Sequence, residues 1–297
     1  MSWFLNPYEA KFEFVNENVM RKILIPADFS NNAFNALKYA CQVFKYERAE
    51  FLIMHAYADE VYRQASVLGL GDLKETLLQD SEKQLKTMKN QLMEYSPNPK
   101  HVYSYISVFA SLVDATNDLV NKENIDIVVM GTRGETNDRS LTFGSNTLHV
   151  LKYVHCPVLA IPESYEYHAP KQMLFPTNYM VPYKRRELKL LCQMAVSFRS
   201  KIHLLYIDAN KKLSPRQEDN KRFLSDSLQE PELFFEKTVE KDKTMAITKY
   251  IVHNSIDLLV IVNSRHSYLE DLLHQSTIDQ LGLHVKIPFL VLQNIAR

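Results

Sequence analysis

The chain of 297 residues reads as an α/β protein built from two copies of one unit, each a five-stranded parallel sheet flanked by helices. Three observations lead there. Short β-branched apolar runs alternate with helical stretches along the sequence. Each run is continuously apolar rather than alternating, which is the pattern of strands buried on both faces of a parallel sheet. The series then returns in the second half of the chain, whose length is about twice the ~100–200 residues of a typical domain.

The elements follow in order. Ile23 to Ile25 is a strand, and Asn31 to Tyr46 is a helix in which Ala33, Leu37, Ala40, Cys41 and Phe44 fall at helical spacing, with Ser30 placed as its N-cap. Phe51 to Ala56 is the second strand. Asp72 to Tyr95 is a long charged helix with an apolar stripe of Leu73, Leu77, Leu78, Leu85, Met88 and Leu92. Val102 to Val108, Ile125 to Met130 and Val158 to Ile161 complete the strands, with helices at Leu112 to Val120 and Ser145 to Tyr153 between them.

The repeat is legible as text. The run beginning at Ile125 (IDIVVM) returns at Ile256 (IDLLVI), a shift of 131, and the same shift carries Cys156-Pro157-Val158-Leu159 to Ile287-Pro288-Phe289-Leu290. At the front, the run ending at Pro26 returns ending at Pro176, a shift of 150. The difference of 19 marks a deletion in the second copy, placed in its second helix, which shrinks to about Pro215 to Leu228. The expected division is a 1–19 extension, a first domain at 20–162, a proline-marked linker at Pro162 to Pro170 and a second domain at 171–297.

Composition narrows the function. Lys+Arg 35 against Asp+Glu 35 gives a formal charge of zero, so no global field draws the chain to nucleic acid or an anionic membrane. No run approaches ~18 apolar residues, so no membrane helix is expected. Cys41, Cys156 and Cys192 are scattered and read as reduced thiols of a cytoplasmic protein. The ten histidines form no pair at metal-binding spacing, so no metal is expected; His55, in a strand, is expected to pack or hydrogen-bond. No catalytic set can be assembled without arbitrary choice. Lys184-Arg185-Arg186 reads as a solvated helix start, and Lys211 to Asn220 as a charged loop.

Chemistry concentrates after the fourth strand. Gly131-Thr132-Arg133-Gly134 is followed, nine residues later, by Gly144-Ser145-Asn146-Thr147, so three of the six glycines lie in this stretch. Glycine admits close backbone approach or positive φ. A helix opening at Ser145 offers N–H groups to an anion, at the strand end where open α/β sheets hold ligands. The residues alone therefore point to phosphate, or to two turns that merely need glycine.

Gly-x2-Gly-x9-Gly-Ser after a buried strand resembles the nucleotide loop of the universal stress protein family. Pro26-Ala27-Asp28-Phe29-Ser30 resembles that family's opening, Met54-His55-Ala56 its second strand, and Cys156-Pro157-Val158-Leu159 its closing strand. The resemblance covers 20–162 and implies a Rossmann-like fold of the adenine nucleotide alpha hydrolase kind. It also implies that ATP or a related adenine nucleotide, with or without Mg2+, is bound for a regulatory role in the stress response. Carried over by position, Pro26 and Asp28 stand at the nucleoside, the backbone of Ala56 reads the adenine edge, and Met130 and Gly131 lie against the ribose. Gly134, Gly144, Ser145, Asn146 and Thr147 receive the phosphates. Slow ATP hydrolysis, with Asp138 as the candidate carboxylate, and a purely interacting protein with no nucleotide are the alternatives.

The second copy departs from the pattern. Gly131, Gly134 and Gly144 fall on Val262, Arg265 and Gln275, and Asp28 falls on Asn178, so a single nucleotide in the first copy is expected. The two closing strands, Val158 to Ile161 and Phe289 to Leu292, are expected to pair within the chain as a pseudo-dimer. A homodimer and an unidentified protein partner are left open.

Overall fold

A computed structural model describes residues 20–64, 70–132, 143–163, 165–181, 183–207, 212–264, 268–269 and 286–294. In the first half β1 (Arg21–Pro26), α1 (Asn31–Val43), β2 (Ala49–Ala56), α2 (Ala58–Gln64), α3 (Leu70–Tyr95), β3 (His101–Val108), α4 (Leu112–Lys122), β4 (Ile127–Gly131), α5 (Ser145–Tyr153) and β5 (Val158–Ile161) succeed one another. The second half follows with β6 (Gln172–Thr177), α6 (Arg185–Phe198), β7 (Lys201–Ile207), α7 (Pro215–Ser227), β8 (Glu232–Thr238), α8 (Lys243–His253), β9 (Leu258–Asn263) and β10 (Phe289–Gln293).

These strands form one ten-stranded sheet in the order β3-β2-β1-β4-β5-β10-β9-β6-β7-β8. Read outward from its middle, each half has the same order. Neighbours within a half are parallel. At the junction β5 and β10 run antiparallel, Val158 opposite Val291 and Ala160 opposite Phe289. The closing strands thus pair as their sequences lead one to expect.

The continuous apolar runs are explained by burial on both faces. Ile23 and Ile25 of β1 enter the core layer shared with Leu37, Phe51 and Leu85, whereas Leu24 enters the opposite layer with Met54, Val128 and Val150. Each layer continues into the second half, through Phe175 and Leu190 on one side and Leu259 and Phe289 on the other.

Backbone detail repeats at the spacing of the sequence repeat. Phe29 and Tyr179, 150 apart, have φ of 62° and 54°, and Asn124 and Ser255, 131 apart, have φ of 53° and 48°. Left-handed backbone is unusual for such side chains, so its recurrence at matched places marks a shared framework. The residue two places after Asn124 and Ser255 also recurs in role. Asp126 accepts from the Lys22 N–H at 3.0 Å, and Asp257 accepts from the N–H groups of Lys171 and Gln172, both at 2.8 Å.

Several sequence expectations are adjusted. Helix α2 was not anticipated, and Gly131 closes β4 rather than following it. Pro215 to Asn220 opens α7 instead of lying in a loop, held by a capping box of Ser214 and Gln217; Lys211 lies outside the described residues. Arg186 is not simply solvated, since it donates to the Ile125 carbonyl at 3.3 Å and pairs with Asp126 at 3.6 Å. The expected extension at 1–19 lies outside the described residues.

A carboxylate that receives two backbone N–H groups is a strong local tie. Asp257→Ala should lower the unfolding free energy by about 1–3 kcal/mol, read from urea denaturation, with Asp257→Asn losing less; an unchanged midpoint for the alanine variant would contradict this role.

Candidate functional site

The C-terminal ends of β2, β1 and β4 lie side by side, because β1 pairs with both of the others. Pro26, buried, closes β1 opposite Met54, and the Ala27 N–H extends the ladder to the Met54 carbonyl at 2.8 Å. The chain then turns sharply. Phe29 takes φ 62°, a strained value for a bulky residue, and its ring packs on His55 with centroids 4.5 Å apart. Asp28, half-buried, accepts from the Ser30 N–H at 3.1 Å and hydroxyl at 2.6 Å, and the Ser30 hydroxyl caps α1 by accepting from the Ala33 N–H. Asp28 is therefore fixed at the rim of the sheet by the same turn that starts α1.

Ala56, half-buried, ends β2 beside it. His55 hydrogen-bonds through Nδ1 to the Ser81 hydroxyl at 2.8 Å, and Ser81 to Ser107 at 2.6 Å. The three link β2, α3 and β3, which fulfils the expectation that His55 hydrogen-bonds. Burial pushes its pKa below the ordinary value, with Asp28 opposing that shift. Burial thus favours the uncharged imidazole, and the Asp28 carboxylate works against it.

Met130 and Gly131 end β4, both buried. The loop that follows is closed at its ends: the Gly144 N–H donates to the Thr132 carbonyl at 2.8 Å, and the Thr147 hydroxyl donates to the Gly131 carbonyl at 3.0 Å. Gly144 is the N-cap of α5, and among the described residues no side chain caps that helix or α6, whereas α1, α4, α7 and α8 are each capped by Ser or Asp. Ser145 and Asn146 are exposed in the uncapped turn. A helix start of this kind offers N–H groups and the positive end of the dipole to an anion.

The structure thus joins Thr147 to Gly131 and Gly144 to Thr132 by direct hydrogen bonds and sets Pro26, Asp28, Ala56 and Met130 along the adjoining strand ends. Gly134, with Arg133 and Asp138, lies outside the described residues. Neither Gly131 nor Gly144 has positive φ, so conformational freedom is not what glycine supplies there. At Gly131 it supplies space. A Cβ would stand 2.5 Å from Nδ2 and 2.8 Å from Cγ of Asn32, in the first turn of α1. Asn32 is a site neighbour that sequence reasoning missed, since an asparagine inside a helix start carries no motif of its own.

In the second half Val262 and Asn178 occupy the places of Gly131 and Asp28, and Gln217 and Asn220 of α7 donate to the carbonyls of Asn178 and Tyr179, both at 2.8 Å. The loop that holds Asp28 in the first copy is there tied down by a helix. A cleft of about 670 Å³ in the second half lies elsewhere, between β8 and α8, lined by Glu236, Val239, Lys249 and Tyr250. Another of about 420 Å³ adjoins the rim turn, lined by Phe29, Ser30, Phe34 and Met88. Among the described residues no group of three or more His, Cys, Asp or Glu gathers to hold a metal, and no helix is long and apolar enough to cross a membrane.

The packing of Asn32 on Gly131 gives a stability prediction. Gly131→Ala should destabilise the fold by about 1–3 kcal/mol through overpacking, and in an Asn32→Ala background most of that cost should vanish. Additive losses in the double-mutant cycle would contradict the contact.

Comparison with known proteins agrees with the sequence motifs. Residues 20–162 match the model of the universal stress protein family. Two universal stress proteins of Methanocaldococcus jannaschii are 27% identical over 151 residues, covering 49% of this chain and 84% of the relative, and 26% identical over 157 residues, covering 48% and 94%. A universal stress protein structure from Archaeoglobus fulgidus superposes on 92% of this chain and 98% of its own with a TM-score of 0.69 at 15% identity, a likeness of fold across both halves. Residues 20–162, with the rim turn and the glycine loop, belong to the universal stress protein family.

Proposed function

We propose that the chain is a nucleotide-binding regulatory protein of the stress response, holding one ATP or related adenine nucleotide in its first half. The observation that carries this reading is the uncapped first turn of α5, set beside Gly131 and closed over by the bond from Gly144 to Thr132. The donor set suits the group. The N–H groups of Ser145, Asn146 and Thr147 would receive phosphate oxygens, Asp28 would take the sugar hydroxyls, and the Ala56 backbone would meet the base. Gly134 joins the phosphate set by resemblance. Asn32, packed on Gly131, would share the sugar side. The proposal concerns the nucleotide alone. The second half, 171–297, is read as a second domain of the same kind without a nucleotide site, forming an internal pseudo-dimer with the first.

Binding rather than turnover is proposed; Asp138, the carboxylate that the turnover reading requires, lies outside the described residues. The bound nucleotide would then tune the chain's surface for a protein partner.

Ser145→Glu separates phosphate recognition from folding. An acidic residue in the first turn favours the helix dipole, so stability should hold or rise, while the charge opposes the phosphates. Calorimetric titration should give ATP affinity at least ~10-fold weaker, about 1.4 kcal/mol, with adenosine affinity unchanged. Equal ATP affinity in the variant would count against α5 as the phosphate site.

A further inference from the structure

The second half of the chain grips α5, the helix whose first turn the proposed function assigns to the phosphates. On the entry side the ring of Phe143, which precedes the N-cap Gly144, packs against Phe289 of β10 with centroids 5.6 Å apart. The exit side is held by hydrogen bonds. A helix leaves its last four carbonyls without partners inside the helix, and here Val150 receives the Val154 N–H and Tyr153 receives the Asn117 amide. The other two are served from the second half. Gln293 Nε2 donates to the Leu151 carbonyl at 2.9 Å, and Asn263 Nδ2 reaches the carbonyls of Lys152 at 3.1 Å and Leu151 at 3.4 Å.

The two amides also brace each other, since Asn263 Nδ2 lies 2.8 Å from Gln293 Oε1. Gln293 is 1% exposed, and its backbone N–H donates to Glu187 of α6 at 3.3 Å. Leu151 is fully buried, so its carbonyl cannot turn to water if the amide is lost. Asn263 and Gln293 stand at the places that Thr132 and Pro162 occupy in the first copy, at the shift of 131. Neither Thr nor Pro carries an amide side chain, so this amide pair is not repeated in the first copy.

We propose that Asn263 and Gln293 are positioning residues for the nucleotide site: they fix α5 by its C-terminal carbonyls and so set where its first turn stands against the phosphates. The proposal rests on the nucleotide reading above. A helix of this length is about 13 Å long, too far for either amide to touch the ligand, but short enough to move as a rigid rod. The half that lacks the glycine loop thereby acts as the bed on which the working helix lies.

Gln293→Glu keeps the shape and replaces the donor with a carboxylate oxygen facing the Leu151 carbonyl, and Asn263→Ala tests the same bracket without introducing charge. Ile247→Ala, in the core of the second half, serves as a control that loses stability without touching the bracket. Amide hydrogen exchange of Leu148 to Val154 and calorimetric ATP affinity are measured on the full chain. In both bracket variants exchange of these amides should rise and ATP affinity fall by about 10-fold, while Ile247→Ala leaves ATP affinity at the wild-type value. ATP binding by the wild type and both bracket variants with equal affinity would overturn this proposal alone. A wild-type chain that takes up no ATP would remove the nucleotide reading together with it.

Discussion

The antiparallel pairing of β5 with β10 is the contact on which the rest of the molecule depends. Each half-sheet would otherwise end on a strand whose paired residues are all apolar, an open edge that invites association. Val158, Leu159 and Ala160 lie opposite Val291, Leu290 and Phe289, every one buried, and each strand completes the other's ladder. Because the join is antiparallel, the C-terminal end of β10 falls at the start of β5. That places Gln293 and its neighbour Asn263 beneath the end of α5. Sheet closure and the bracing of the helix are thus two consequences of one strand pair.

On this common framework the two halves diverge where a ligand would sit. The left-handed turns, the aspartate ties and the strand order are shared. At the rim the first half keeps Asp28, the small residue Gly131 and an uncapped helix start, whereas the second has Asn178, Val262 and a loop tied to α7. Packing explains both versions. Gly131 leaves room for Asn32 beside the strand end, and the shortened α7 reaches the turn that α3 leaves to Asp28 and Ser30. Framework residues answer to burial on both faces of the sheet, which constrains both halves alike.

Much of this was legible in the sequence. Continuous apolar runs mark strands buried on both faces, and the two shifts of 131 and 150 place the repeat and its deletion, which the structure locates between α3 and the 13-residue α7. Ser30 as N-cap and the helix start at Ser145 could be read from residue type and order, and the pairing of the closing strands from the family resemblance. Contacts between residues distant in sequence could not. Asn32 against Gly131, Phe143 against Phe289, and the amides of Asn263 and Gln293 on α5 each depend on how the layers stack, and none carries a local pattern. The role of Gly131 illustrates the gap: its type signalled a need for space or freedom, and only the packed neighbour shows that the need is space.

The central claim is that one framework carries a single nucleotide site, in the first half. Native mass spectrometry of the intact chain titrated with ATP tests it most directly. The account predicts that the spectrum saturates at one ATP per chain. Saturation at two, or a chain that remains unliganded at millimolar ATP, would contradict it.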